Sequence, residues 1–384
     1  MALKLPIYLD HHATTPVDPR VFEAMVPFLT EHFGNPSSKT HAFGWRAEEV
    51  VTLAREQVAR LIHAEAREVI WTSGTTESNN WALRGVAMAH QKRGNHIITA
   101  ATEHRSVLEV VRALENLGFQ PTVLPVDGNG IVDPGQVRQA ITGKTILISI
   151  MAANHEIGTI HPVAAIGEIA KEKGVLFHVD AAQACGKIPV DVEAMGIDLL
   201  SMSAHKVYGP KGVGALWIRA REPHVRIEPL FYGGGQERGL RPGTLAVPAI
   251  VGMGRAFEIA GMEMESESKR LVLLREHLRK GLMDRIPNVI LNGHPTDRLP
   301  GNLNLSFLGR RSDALIPKIR DVAVSSGSAC ASSETAKPSY VIEALGGPSE
   351  RALSSLRFGL GRSTTEEEID FAIERVVEAV RAPS

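Results

Sequence analysis

Four short stretches of this chain gather residue types that can do chemistry. Ser201-Met202-Ser203-Ala204-His205-Lys206 ends an apolar run with hydroxyls, an imidazole and an amine. Such a group suits a phosphate-bearing aldehyde cofactor: the amine condenses to a Schiff base while its neighbours hold the phosphate. Asp180 closes a second apolar run, with Gln183 just beyond it. An aspartate at the carboxyl end of a buried strand lies where open α/β sheets bind ligands, and it can pair there with a protonated ring nitrogen. Thr72-Ser73-Gly74-Thr75-Thr76-Glu77-Ser78 reads as a strand, a hydroxyl-rich turn and a helix start, whose free N–H groups hold phosphate. Ser325-Ser326-Gly327-Ser328-Ala329-Cys330-Ala331-Ser332-Ser333 sets a thiol among small polar residues, where it can react once its thiolate fraction is raised. Each stretch alone also has a plainer reading: a surface lysine after a strand, a helix-capping aspartate, simple N-capping, or a loop cysteine of no consequence. Cys185 lies in the small apolar run 181–186 and is expected to be packed and inert.

Holding these groups together requires a sheet covered by helices. Helical periodicity fits 47–61, where Val50, Val51, Ala54, Val58 and Leu61 share a face. A strand at 68–71 runs into the hydroxyl turn, and a helix is expected from about Ser78. Further strands are predicted at 96–100, 122–126, 146–151, 175–180, 199–203 and 214–218, with helices at 106–117, 134–140 and 163–173 between them. Several strands are apolar on both faces, so the fold class is α/β with a mainly parallel sheet sandwiched by helices. After the glycine-rich 233–243 a long helix is expected over about 246–286. Shorter strands at 289–291, 303–307, 322–324 and 355–359 follow, and a final helix opens on a capping box at Thr364-Thr365-Glu366-Glu367-Glu368. The predicted division is a large domain over 15–264 and a small α/β domain made of 1–14 and 265–384.

Composition narrows the function. With 384 residues, 43% of them apolar and a formal net charge of -1, the chain carries no bulk field for nucleic acid or an anionic membrane. The apolar run 146–153 is far shorter than the roughly 20 residues of a bilayer span. The N-terminal residues carry no secretory pattern, and two cysteines exclude a disulfide framework or a cysteine-rich metal site. A cytoplasmic protein without a metal is the expectation.

The order and spacing of the motifs resemble the cysteine desulfurases, within the class V aminotransferase group of fold type I pyridoxal-phosphate enzymes. The resemblance runs through Ala13-Thr14-Thr15-Pro16, Thr102-Glu103-His104, Glu156-Ile157-Gly158, Ser203 to Gly212, Gly233 to Thr244, the Cys330 stretch and Arg357-Phe358-Gly359-Leu360-Gly361-Arg362. The Ser-Ser-Gly-Ser-Ala-Cys wording is similar to that of the housekeeping and nitrogen-fixation subgroup. The resemblance implies pyridoxal 5'-phosphate as cofactor and L-cysteine, with L-selenocysteine as a possible second substrate. It implies that Lys206 is the Schiff-base lysine, that His104 stacks on the ring and moves protons, and that Asp180 and Gln183 address the ring nitrogen and 3-oxygen. Thr75, Thr76, Ser203 and His205 match the phosphate site, and Thr244 matches a phosphate ligand contributed by the second subunit of a homodimer. Asn154 and His155 match the pair that meets cofactor and substrate; His155 replaces the family's usual asparagine. Arg357 matches the carboxylate clamp and Cys330 the nucleophile that carries a persulfide to an acceptor such as an iron–sulfur scaffold protein. The chain ends soon after its last helix, where subgroup members continue into a scaffold-binding tail, so delivery to that scaffold is left open. A transaminase would need no thiol on a small-residue loop, and a non-catalytic subunit would not need Lys206, Asp180, His104 and Cys330 together.

Overall fold

The computed structural model describes residues 3–221, 224–326 and 338–382. After a short N-terminal strand, β1 (Ile7–Tyr8), come the strands of the main sheet. These are β2 (Val69–Thr72), β3 (His96–Ala100), β4 (Gln120–Leu124), β5 (Thr145–Ser149), β6 (Leu176–Asp180), β7 (Leu199–Ser203) and β8 (Gly214–Ile218). Their spatial order is β2-β8-β7-β6-β5-β3-β4. The pairs from β4 across to β7 are parallel, and β8 runs antiparallel to both of its neighbours. Crossover helices cover both faces, so β2, β3 and β5 to β8 are buried at every residue. Strand β4 sits at the edge, where Pro121 withholds a ladder donor at little cost, and it begins two residues before the predicted start.

The helix Ala42–Leu61 buries Val50, Val51, Ala54 and Val58 of the stripe read from the sequence, with Ala47 beside them, and leaves Leu61 half-buried. It starts before the predicted 47 because the His41 ring accepts from Gly44 N–H and caps it. The helix after β2 starts at Thr75, three residues ahead of the expected Ser78. Gly74 makes that early start possible, since its φ of 149° is a backbone conformation that L side chains rarely adopt.

The helix Val247–Met283 has 37 residues, a length of roughly 55 Å at 1.5 Å per residue. Ile250, Met253 and Phe257 on its first half pack into the core under the main sheet. Leu271, Leu274, Leu278 and Leu282 on its second half join a separate core with Ile7 and Leu9 from the N-terminal arm. That second core surrounds β9 (Val289–Leu291), β10 (Asn302–Phe307), β11 (Val322–Ala323) and β12 (Ser355–Gly359). Strand β10 pairs antiparallel with β9 and β12, and β1 pairs parallel with β11. The last helix, Glu366–Arg381, carries the capping box between Thr365 and Glu368. Among the described residues, no helix is long and apolar enough to cross a membrane.

Candidate active site

The carboxyl ends of β2, β6 and β7 open on one cavity of about 1010 Å³. Thr75, Thr76, His104, His155, Asp180, Gln183, Ser203, His205, Lys206 and Arg357 all line it. Residues from the N-terminal arm to β12 therefore reach a single space, at the end of the sheet where open α/β folds bind ligands.

Asp180 ends β6 with both carboxylate oxygens held. Oδ1 accepts from Ala182 N–H at 3.0 Å and Oδ2 from Asn79 Nδ2 at 2.7 Å. The same Asn79 amide donates to Ser106 Oγ at 2.9 Å, and Ser106 Oγ lies 2.8 Å from His104 Nδ1. Ser106 N–H also donates to His104 Nδ1, at 3.1 Å. A nitrogen accepting a backbone N–H carries no proton, so the serine hydroxyl donates to it as well and the imidazole hydrogen sits on Nε2. This arrangement keeps His104 neutral. Burial lowers its pKa, the positive charges of Lys206 and Arg105 lower it further, and Asp180 opposes them. The His155 ring meets His104 edge to face at 5.3 Å between centroids. Burial drives the His155 pKa well down, with help from His104, Arg357 and Lys206.

Lys206 lies in the single helical turn just after β7. Its Nζ donates to the carbonyls of His12 at 2.6 Å and Ala13 at 2.7 Å. Burial, reinforced by Arg357, brings its pKa down to about 8 against the pull of Asp10 and Asp180. An amine in that range is neutral often enough near physiological pH to act as nucleophile and base. Arg357, on β12, donates from one terminal nitrogen to Asp10 at 2.8 Å and from the other to the His155 carbonyl at 2.9 Å. Its buried Nε has no partner among the described residues.

Asn154 and Thr244 are not among the residues that line the cavity of the single chain. Asn154 is fully buried, and its amide is consumed by the protein. Nδ2 donates to the Thr102 carbonyl, and Oδ1 accepts from the N–H groups of Glu156 and Ile157. Both lone pairs are thereby engaged, so Asn154 shapes the turn that presents His155 and is not among the cavity-lining residues. Thr244 is exposed and also absent from the lining. Cys330 lies outside the described residues. Cys185 is buried, and burial pushes its thiol pKa up to about 12, the inert state expected of it.

A model of the family described as aminotransferase class-V matches residues 7–371. A cysteine desulfurase, IscS, of Anaeromyxobacter dehalogenans (strain 2CP-C) is 55% identical over 379 residues, which are 99% of this chain and 93% of that one. The chain belongs to the cysteine desulfurases of the class-V aminotransferase family. A solved NifS-like protein superposes with a TM-score of 0.91 at 40% identity, covering 97% of this chain and 99% of that one. A structure described as SspA in complex with cysteine gives 0.82 at 36% identity, covering 92% and 98%.

These enzymes depend on pyridoxal 5'-phosphate, and the cavity fits that group. The helix Thr75–His90 has no side-chain cap at Gly74, and the buried Thr75 Oγ1 has no partner among the described residues. Uncapped N–H groups beside an unpaired hydroxyl are what a phosphate needs. Asp180 is a fixed acceptor for a ring N–H, and Lys206 is an amine with a depressed pKa. Asn79 and Ser106 were not singled out from the sequence. A serine two residues after His104 was the available signal for one, but the 27-residue separation of the pair hides their contact.

Proposed function

We propose that the cavity carries out cysteine desulfuration with the residues named above. Bound there, pyridoxal phosphate supplies an electron sink that weakens bonds to the α-carbon of the substrate. Arg357 receives the cysteine carboxylate on its free N–H groups, while Asp10 and the His155 carbonyl fix the plane of its guanidinium. Lys206 takes and returns a proton at Nζ, and neutral His104 offers Nε2–H toward the reacting centre. Asp180, fixed by its two donors, would face the ring nitrogen and support positive charge there. The Cys330 thiolate attacks the substrate sulfur: a sulfur–sulfur bond forms, the carbon–sulfur bond breaks, and alanine leaves after protonation. Cys330 then holds a persulfide for a protein acceptor, and an iron–sulfur scaffold is the acceptor class we favour.

The observation that carries this reading is the convergence of Lys206, Asp180, His104 and the unpaired Thr75 hydroxyl on one cavity. Two further parts belong to it. The first is a homodimer whose partner brings Thr244, which is supported by the exposure of Thr244 in the single chain. The second is the division into 15–264 and 1–14 with 265–384, supported by the separate core that joins Ile7 and Leu9 to the second half of the long helix. A cytoplasmic location accords with the reduced thiol the mechanism requires. The test is mass spectrometry after one turnover with cysteine. Cys330 should gain one sulfur while Cys185 gains none, and Cys330→Ala should bind cofactor yet release no alanine. Sulfur on Cys185 with an active Cys330→Ala variant would overturn the assignment.

A further inference from the structure

Beside the cavity lies a half-buried amine that the mechanism above does not use. Lys187 Nζ donates to Gln183 Oε1 at 2.8 Å. On its other side the Gln183 amide donates from Nε2 to the His12 carbonyl at 2.9 Å, the carbonyl that also accepts from Lys206 Nζ at 2.6 Å. Protonated Lys187, the form that burial confines to below about pH 7, can only donate, and a carbonyl can only accept. Both neighbours therefore dictate the same orientation of the amide, with oxygen toward Lys187 and nitrogen toward His12 and Lys206. Gln183, which lines the cavity, can then offer a bound group only an N–H and never an oxygen.

We propose that Lys187 is a positioning residue for the cofactor site: its hydrogen bond to Gln183 Oε1 locks the amide so that a donor always faces the cavity. The inference rests on the pyridoxal-phosphate reading of the site. An anionic oxygen on the ring would be met by that donor; a flipped amide would meet it with a repelling oxygen. Lys187 has little freedom to turn away. It borders a small space of about 20 Å³, walled by His11, His12, Tyr208 and Glu267, with room for about one water molecule. Burial does most to disfavour its charge; Lys206 and Arg357 add to that, and Glu267 on the long helix opposes them. Cys185 below and the neutral His11 and His12 on the N-terminal arm complete its surroundings. Among the described residues, Lys187 is the side chain seen to donate to Gln183 Oε1.

Two variants separate donation from charge. Lys187→Met keeps the length and removes the donor; Lys187→Gln keeps a donor and removes the charge. The readouts are the dissociation constant of pyridoxal phosphate from the holoenzyme and the pH titration of its visible absorption. Lys187→Met should weaken cofactor binding about tenfold, the loss expected for one buried hydrogen bond left unmade, and should displace the absorption titration. Lys187→Gln should lie within about twofold of wild type, since an amide N–H replaces the lost donor. A Lys187→Met holoenzyme that holds cofactor and titrates like wild type overturns the inference while leaving the proposed function intact. Equal defects in both variants also overturn it, because charge and not orientation would then be the cause. A wild-type protein that binds no pyridoxal phosphate would sink the reading of the whole site.

Discussion

The depressed pKa of Lys206 makes a signed prediction about stability. Replace Lys206 with Met in the cofactor-free protein. In wild type the amine falls from 10.5 to about 8 on folding, mainly through burial. Below about pH 8 it is charged in both folded and unfolded chains, and the folded form bears the full penalty of burying that charge. Between about 8 and 10.5 the unfolded chain holds a proton that the folded chain has released, so wild-type stability rises with pH there. At about 1.36 kcal/mol per pH unit the whole effect is roughly 3 kcal/mol. Methionine has no charge to bury, but it leaves the carbonyls of His12 and Ala13 without their lysine donors. Two hydrogen bonds at about 1 kcal/mol each offset roughly 2 kcal/mol of the gain. Lys206→Met is therefore expected to be more stable than wild type by about 1 kcal/mol at pH 7, and to fall behind it as the pH approaches 10. Urea unfolding followed by tryptophan fluorescence across pH 7 to 10 reads this directly. A stability difference that stays constant with pH, or moves further in favour of methionine as the pH rises, would refute the reasoning.

Four other perturbations test separate parts of the site. Thr75→Val should weaken pyridoxal phosphate binding about 10- to 100-fold, the worth of one hydrogen bond to a charged group, as measured by cofactor titration. Ser106→Ala removes the hydroxyl that donates to His104 Nδ1 and so eases protonation of that ring; the acid limb of the kcat/KM profile should move to higher pH. Cys185→Ala should keep most activity and lose on the order of 1 kcal/mol in denaturant unfolding, because it vacates a small buried volume. Mixing Lys206→Ala chains with Thr244→Ala chains should generate heterodimers with one intact site; if cofactor affinity in the re-formed mixture never exceeds that of either parent, the shared site is refuted.

How much of this the sequence carried depends on the kind of residue. The main sheet was readable because its central strands are buried on both faces and so appear as short apolar runs bounded by turns. The helix at Thr75 came earlier than expected because the turn chemistry of Gly74 outweighs the weak helix propensity of two threonines. The short helices Pro19–Met25 and Pro27–Thr30 gave no signal, since each buries a single residue and has no apolar stripe to recognise. Lys206 and Asp180 could be placed at the cavity because Lys206 closely follows one recognisable strand and Asp180 ends another. Asn154 was assigned to the cofactor because residue type cannot reveal which lone pairs the backbone consumes. The contact between Lys206 and the His12 carbonyl spans 194 positions and involves a main-chain group, which no pattern of side chains encodes.

The electrostatics of the cavity follow from burial more than from composition. Four histidines face or flank it, yet His12, His104, His155 and His205 are all driven toward the neutral form, with desolvation as the largest cause. Among the described lining residues, the positive charge that an anionic substrate meets therefore comes from Arg105, Lys211, Arg357 and Lys206 in its protonated fraction. That division has a chemical use. Neutral imidazoles can each offer one donor and one acceptor, whereas a cluster of imidazolium ions would hold substrate carboxylate in place without selecting among its orientations. The link from Asp180 through Asn79 and Ser106 to His104 carries the argument further. The carboxylate and the imidazole lie on different strands' ends, but a single asparagine amide donates toward both ends of the chain. Rotation of Asn79 would release Asp180 and the Ser106 hydroxyl together, while the Ser106 N–H would still hold the tautomer of His104, so one amide couples the acceptor for the ring nitrogen to the hydroxyl that meets the imidazole.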